Sequence, residues 1–163
     1  MKKLVLVATL FFCLLFPSCR GQEYGILPYQ DKNIDAECTL NSEYKIRIVK
    51  ENGRGHICFL EPTELSTISF SIEDERVTGN AGETKIPLPE KNTRGILAIF
   101  NMFSLKEGEI SSARQEGSLS YIEFTTSYGV YSLTLGKNSM PKNIKIVSSD
   151  YTFDISIDTI LLK

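Results

Sequence analysis

The amino-acid sequence predicts a mainly β (α+β) fold, in which a single curved antiparallel sheet, or an open half-barrel, is covered by one helix. Two observations predict the sheet: apolar and polar residues alternate in many short runs, and turn residues separate these runs at intervals of about 8–12 residues. A third observation predicts the helix, since one segment in the middle of the chain is apolar around most of its circumference. A sheet with one apolar face needs a cover, and this helix is the available one.

The first half of the sheet begins with a strand and a tight hairpin. Side chains alternate in residues 44–49, and Asn52 followed by Gly53 is a strong signal for a two-residue turn. The returning strand, 57–60, then places Cys58 opposite Arg47. Further turn residues divide the chain into the runs 66–72, 76–78 and 84–88, which we predict as the next strands.

The pattern changes in the middle of the chain and then returns. Residues 93–103 contain six large apolar residues and predict one helix of about ten residues, with Asn92 or Thr93 placed as its N-cap. After Gly108 the alternation resumes and predicts five more strands, at 109–114, 118–126, 130–135, 142–148 and 151–158.

The first nineteen residues are typical of a bacterial export signal. A basic start at residues 1–3 precedes an apolar run at 4–16, which is shorter than the roughly 20 residues that a membrane-spanning helix needs. Cys19 follows the small residue Ser18, the layout of a lipoprotein cleavage site. We therefore predict lipidation of Cys19. Ordinary secretion with cleavage near Gly21 is the main alternative, and an uncleaved anchor is the other.

These features divide the chain into three parts and predict its location. Residues 1–18 are predicted as a lipoprotein-type signal peptide, 19–35 as a lipid-anchored tether, and 36–163 as a single β-rich domain. An acylated Cys19 would hold the protein on the extracytoplasmic face of the cell membrane or outer membrane.

Without residues 1–18 the chain has 16 basic and 20 acidic residues, which are interleaved. This distribution argues against a nucleic-acid partner, which requires a basic patch.

No pattern in the sequence indicates catalysis, a cofactor or a metal site, so we predict that the protein is not an enzyme. His56 is the one histidine, and neither a C-x-x-C nor an H-x-x-x-H spacing occurs. His56 and Cys58 share a strand face at about 6–7 Å, which does not predict a catalytic pair.

Cys38 and Cys58 can form a disulfide in an oxidising compartment. The hairpin register instead favours two unpaired thiols, with Cys58 buried.

Three local features resemble the LolA/LolB lipoprotein-carrier family, including the small LolA-like lipoproteins of Gram-positive bacteria. The first is a strand and hairpin followed by P-x-x-L-x-x-I-x-F at residues 62–70. The second is the apolar helix at 93–103, and the third is a late hairpin whose second strand follows Pro141. The resemblance covers roughly residues 38–158. It implies an open β-barrel around a hydrophobic cavity with a helical lid.

Together, the aromatic residues and the resemblance predict a domain that binds a lipid or another apolar ligand in a concave cavity. The predicted ligand-binding residues are Phe70, Phe100, Phe103 and Phe153, from a larger aromatic set that also contains Phe59, Tyr121 and Phe124. Two alternatives remain open at this point. The aromatic residues can simply fill a core, or the domain can dock on an envelope protein and regulate it, through an exposed strand or the turn at 79–82.

Overall fold

The computed structural model describes residues 27–30 and 32–163, which form one eleven-stranded sheet and one α-helix. The predicted mainly β fold with one covering helix is confirmed. In chain order the elements are β1 Ile34–Leu40, β2 Tyr44–Glu51, β3 Arg54–Glu61, β4 Ile68–Glu73, β5 Arg76–Ala81, β6 Thr84–Ile86, α1 Glu90–Asn101, β7 Ile110–Glu116, β8 Leu119–Thr126, β9 Gly129–Leu135, β10 Pro141–Val147 and β11 Thr152–Leu162.

The sheet consists of two antiparallel meanders, β1–β6 and β7–β11. In the sequence, the segment that contains α1 connects β6, the outer strand of the first meander, to β7, the outer strand of the second. Its strand order is β6-β5-β4-β3-β2-β1-β11-β10-β9-β8-β7, so the first and last strands pair at the junction. The two edge strands, β6 and β7, do not pair with each other, and the sheet therefore stays open. Helix α1 connects these two edges in the sequence and packs against the concave face.

The sheet is curved enough for its two halves to touch. The Tyr128 hydroxyl, in the turn between β8 and β9, donates to Glu75 Oε1 in the turn between β4 and β5 at 3.3 Å. These turns join strands that are six to eight positions apart in the sheet order. Adjacent strands rotate by roughly 20–25°, and this accumulated twist brings the two turns together. The concave face thus wraps around α1.

Alternation along the strands separates an apolar concave face from a polar convex face. On β1 and β2 the even-numbered residues point inward, and Ile34, Cys38, Ile46 and Ile48 are no more than 1% exposed. Burying an aliphatic side chain of this size contributes about 1.5–3 kcal/mol relative to leaving it exposed. The concave face and the helix therefore form one continuous hydrophobic core.

The first hairpin follows the predicted register. Asn52 and Gly53 have φ values of 51° and 81°, the left-handed conformation that a two-residue type I′ turn requires at both positions. Arg47 lies opposite Cys58, as predicted. This register sends Cys58 to the convex face, while the side chain of Cys38 points into the core.

The thiols are unpaired, as predicted, but the buried one is Cys38 and not Cys58. Cys38 is fully buried and Cys58 is half-buried, and both are free. They lie on opposite faces of the sheet, which excludes a disulfide between them without backbone movement. Burial raises the pKa of the Cys38 thiol to about 12, with smaller contributions from the acidic Asp158 and Glu37.

The helix begins and ends earlier than predicted. It spans Glu90–Asn101 rather than 93–103, and Pro89 is its N-cap residue. Proline near a helix start fits because its fixed φ suits the position and its missing N–H removes one unpaired donor. Asn92 and Thr93, the predicted caps, lie inside the first turn, where their backbone N–H groups donate to the Pro89 carbonyl.

The sheet also begins before the predicted domain boundary. Strand β1 starts at Ile34, and Leu27 and Tyr29 are already buried in the core at 4% and 0% exposure. The Tyr29 ring packs edge-on against Phe103, with centroids 6.1 Å apart. The predicted signal peptide, the predicted lipidation site Cys19 and the predicted tether up to residue 26 lie outside the described residues. Within the described part of the chain, no helix has the length and apolar character needed to cross a membrane.

A charged cluster on the convex face connects strands at the junction of the two meanders. Arg47 on β2 donates from Nε and Nη2 to the two carboxylate oxygens of Asp35 on β1, each at 2.8 Å. Lys163, which follows β11, lies 3.7 Å from the same carboxylate. The hydrogen bonds from Arg47 hold the pKa of Asp35 below its ordinary value. Because the Asp35 side chain is only 11% exposed, water screens this pair less than a typical surface pair.

Replacing Asp35 by Asn should destabilise the protein most near neutral pH. Since the pKa of Asp35 is lowered in the folded state, its carboxylate adds stability above the unfolded pKa of about 3.9, and this contribution disappears as the pH falls through the folded pKa. We expect urea denaturation of D35N to show a loss of about 1–2 kcal/mol at pH 7, after allowance for the half-exposed Arg47. The loss should be smaller at pH 3.

The matched control is Asp154→Asn, which changes an exposed carboxylate on the same face of the sheet. It should alter the free energy of unfolding by less than about 0.5 kcal/mol. A D35N loss of equal size at pH 7 and pH 3 would show that the carboxylate charge is not what stabilises the junction.

Candidate functional site

An apolar groove lies between the first half of α1 and the concave face of the sheet. Its volume is about 370 Å³, within the range of roughly 300–1,000 Å³ that is usual for small-molecule sites. The floor comes from strands near the β1–β11 junction, and the helix forms the opposite wall. The lining residues are Leu40, Phe59, Phe70, Leu88, Lys91, Asn92, Gly95, Ile96, Ile99, Tyr151 and Phe153.

Two aromatic rings from neighbouring strands form one side of the groove. Phe59 on β3 and Phe70 on β4 pack edge to face, with ring centroids 6.5 Å apart and planes at 68°. Tyr44 supports Phe59 from β2 in a second edge-to-face contact, at 5.9 Å. These geometries are the preferred ones for aromatic pairs. Phe59 and Phe70 are nevertheless only half-buried, so part of each ring faces open space.

The opposite side is a stacked aromatic pair at the start of β11. Tyr151 and Phe153 stack with centroids 5.1 Å apart and planes at 19°. The Tyr151 hydroxyl donates to the backbone carbonyl of Tyr128 at 2.6 Å, which fixes the orientation of the pair. Both side chains remain half-buried.

Gly95 brings the helix close to this stacked pair. A Cβ atom at Gly95 would lie 3.3 Å from Phe153 Cζ and 3.7 Å from Tyr151 Cδ1. The first distance is shorter than an ordinary van der Waals contact between carbon atoms. The absence of a side chain at Gly95 therefore keeps the groove open next to the two rings.

The polar part of the lining is concentrated at one end. Among the described residues that line the groove, Lys91 is the only charged one, and Lys91 and Asn92 are the only exposed ones. Further along the same helix face, Gly95, Ile96 and Ile99 are buried. The groove thus changes from polar at its mouth to apolar inside, over the two helical turns between Lys91 and Ile99, or about 12 Å.

The four predicted ligand-binding residues divide into two pairs. Phe70 and Phe153 line the groove. Phe100 is 4% exposed, and its ring lies on the backbone of Gly55 in β3, where any Cβ would collide with it. Phe103 is fully buried. Phe100 and Phe103 therefore do not line the groove. They pack into the core beyond it, as expected if these two residues only fill the core.

The remaining aromatic candidates also have different environments. Phe124 is fully buried, and Tyr121 lies on the convex face, where the Arg114 guanidinium stands 4.9 Å from its ring centroid. Tyr151 and Lys91 were not among the predicted ligand-binding residues. Tyr151 is the first residue of the predicted strand 151–158 and directly precedes β11, and the role of Lys91 depends on which side of the helix faces open space.

The described residues contain no group of three or more His, Cys, Asp and Glu side chains that could hold a metal ion. His56 lies on β3 between Val49 of β2 and Ser71 of β4. It is half-buried on the convex face, away from the groove. The groove itself provides apolar walls for hydrophobic contact, and the ammonium group of Lys91 and the carboxamide group of Asn92 at its mouth for polar contact.

Comparison with solved structures finds proteins of similar architecture. One is an uncharacterised conserved protein from Thermus thermophilus, with 11% identity over 83% of this chain and 81% of that chain, at a TM-score of 0.48. Another is a LolA superfamily protein from Nitrosomonas europaea, with 9% identity over 81% of this chain and 84% of that chain, at a TM-score of 0.39. These likenesses concern the fold alone. No family model and no curated protein matches the chain.

A buried tyrosine fixes the far end of the helix that walls the groove. The Tyr131 hydroxyl on β9 donates to the backbone carbonyl of Ala98 at 3.0 Å. That carbonyl lies in the last turn of α1, where helix geometry leaves acceptors without an intrahelical partner. Burial raises the pKa of Tyr131 above its ordinary value, so the hydroxyl stays protonated and remains a donor.

Tyr131→Phe should weaken the attachment of α1 to the sheet. The change leaves a buried carbonyl oxygen without its donor, which costs about 1–3 kcal/mol. We expect the urea midpoint to fall while the slope of the unfolding curve stays constant. Tyr121→Phe on the convex face is the control and should change the midpoint little. An unchanged midpoint in Y131F would contradict the anchoring role of the hydroxyl.

Proposed function

We propose that this protein is a membrane-anchored extracytoplasmic lipoprotein that binds a lipid or another apolar ligand in the groove beneath α1. The observation that carries the proposal is a groove of about 370 Å³ lined almost entirely by apolar side chains. Four aromatic rings on its two sides are half-buried rather than fully buried: Phe59, Phe70, Tyr151 and Phe153.

Exposed aromatic surface in a concave site favours an apolar occupant. Each buried Å² of apolar surface contributes roughly 25 cal/mol, and an aromatic residue buries about 150–250 Å² in full. Completing the burial of four partly covered rings is therefore a substantial driving force for binding. A polar ligand would lose its hydration in the groove without compensation, because few lining groups can form hydrogen bonds with it there.

The membrane anchor is the second part of the proposal, and it rests on the sequence. The basic start, the apolar run at 4–16 and Cys19 after Ser18 support lipidation at Cys19. An acylated Cys19 would keep the groove within one tether length of a lipid surface. A membrane is also the most abundant source of apolar ligands available to an envelope protein. We propose binding as the activity and assign no catalytic residue.

A second candidate function is docking on an envelope protein, and the exposed edge of the sheet favours it. Strand β7 is the outermost strand on its side, and most of its seven residues are exposed. An edge strand of this length offers backbone groups for pairing with an extended segment of a partner. The segment 79–82, which was predicted as a turn, is the other candidate surface. Its first three residues instead form the end of β5, and the turn to β6 begins at Gly82. Gly79 is buried under Leu88, while Ala81 and Gly82 are exposed.

Filling the groove from the helix side tests the binding proposal. Gly95→Leu would place an apolar side chain between α1 and the stacked rings, and leucine is a better helix former than glycine by up to about 1 kcal/mol. We expect the purified full-length protein to bind the neutral dye N-phenyl-1-naphthylamine, with increased fluorescence. In G95L the affinity should fall by at least tenfold, with the far-ultraviolet circular dichroism unchanged.

Gly108→Leu is the matched control, because a Cβ at Gly108 meets nothing within 4 Å. It adds the same side chain to the surface and should leave dye binding unchanged. Gly95→Ala fills less of the groove and should have an intermediate effect. If the wild-type protein does not bind the dye, or if G95L and G108L bind it equally well, the groove is not a ligand site and the docking candidate becomes the better one.

A further inference from the structure

The mouth of the groove presents an ammonium and a carboxamide group that the protein itself leaves unused. Lys91 and Asn92 are exposed lining residues in the first turn of α1. In the part of the chain that the structure describes, neither side chain takes part in a hydrogen bond or ion pair, whereas Arg94, one turn further along, donates to the Ser127 carbonyl. Both groups are free to bind the polar end of a ligand.

We propose that the groove selects a single-chain amphiphile with an anionic head, a long-chain carboxylate, whose carboxylate lies between Lys91 and Asn92 and whose tail extends toward Ile99. This inference rests on the proposed function, and it adds the ligand class and the orientation of the ligand. Charge complementarity supports it, since Lys91 is the only charged residue among the described residues that line the groove.

The volume of the groove matches a tail with one chain. A methylene group occupies about the share of liquid volume that a water molecule does, roughly 30 Å³, so about 370 Å³ accommodates on the order of twelve methylene groups. A diacyl lipid carries two longer tails, which this volume does not hold in full. A fatty acid of about twelve carbons matches it.

The distribution of polarity along the helix determines which end of the ligand enters. Gly95, Ile96 and Ile99 are buried and offer no side-chain hydrogen bond, so a carboxylate placed there would lose its hydration without compensation. At the mouth the same carboxylate stays near water and gains the positive charge of Lys91. The carboxamide of Asn92 can donate a further hydrogen bond to it.

Competition with two ligands of equal tail length tests the inference. Dodecanoate and 1-dodecanol would displace N-phenyl-1-naphthylamine from the purified full-length protein at pH 8, where a carboxylic acid is ionised. In Lys91→Met we expect the apparent affinity for dodecanoate to fall about fivefold, the size expected for an exposed ion pair. The affinity for dodecanol should stay within about twofold. In Lys91→Glu the loss for dodecanoate should be larger, because the mouth then repels the carboxylate.

Lys85→Met is the matched control, because Lys85 is an exposed lysine on β6 that does not line the groove. It should leave both affinities unchanged. Added salt should weaken dodecanoate binding to the wild-type protein and spare dodecanol. Each of these variants changes an exposed side chain, and circular dichroism would confirm that the fold is kept.

The possible results separate this inference from the proposed function. Suppose that the dye and dodecanol bind, but that the ratio of dodecanoate affinity to dodecanol affinity is the same in K91M as in the wild type. The inference of a carboxylate site is then wrong, whereas the proposal of an apolar binding groove is retained. Binding of a two-chain phospholipid in preference to dodecanoate would also overturn the inference alone. If neither the dye nor dodecanol binds, the proposed function fails, and the ligand class fails with it.

Discussion

The pairing of the first strand with the last determines the position of everything else in this protein. Because β1 and β11 are neighbours, the two meanders extend in opposite directions from a common centre. The last strand of the first meander, β6, and the first strand of the second, β7, therefore lie at opposite edges of the sheet. The segment that connects these edges in the sequence is α1. It must pass across a face of the sheet, and its apolar circumference favours the concave one. The helical cover therefore follows from the topology.

The groove is a consequence of how this helix fits into the curved sheet. From Gly95 to Phe100 every residue of α1 is buried, and the Tyr131 hydroxyl fixes the carbonyl of Ala98. Toward its N-terminus the helix becomes exposed, and the sheet below it carries large half-buried rings. Gly95 lies at the transition, where a larger side chain would close the space next to Phe153.

Much of the sheet could be predicted from the sequence, because side-chain alternation and turn chemistry are local signals. The Asn52–Gly53 hairpin and its register are the clearest example. Strand β1 was harder to recognise, since its inward residues include the small side chains Ala36 and Cys38. The helix boundary was misplaced because Asn92 is a good N-cap residue in isolation, whereas Pro89 begins the helix one turn earlier.

The site could be predicted only in part, because it depends on distances between elements. Phe70 and Phe153 lie at inward positions of their strands, and alternation identifies them. A segment that is apolar around most of its circumference does not reveal which of its faces meets packed core and which meets open space. That is why Phe100 and Phe103 appeared equivalent to the groove residues in the sequence, and why Gly95 and Lys91 did not stand out.

The most direct test of this account is a filtered nuclear Overhauser measurement on the isotope-labelled protein with unlabelled 1-dodecanol. Such an experiment reports which protein protons lie close to the tail of the ligand. We expect contacts from the alkyl chain to the rings of Phe70 and Phe153 and to the α protons of Gly95. Contacts to Tyr121 on the convex face instead, or no intermolecular contacts at saturating ligand, would contradict the claim that the space beneath the helix is a binding site.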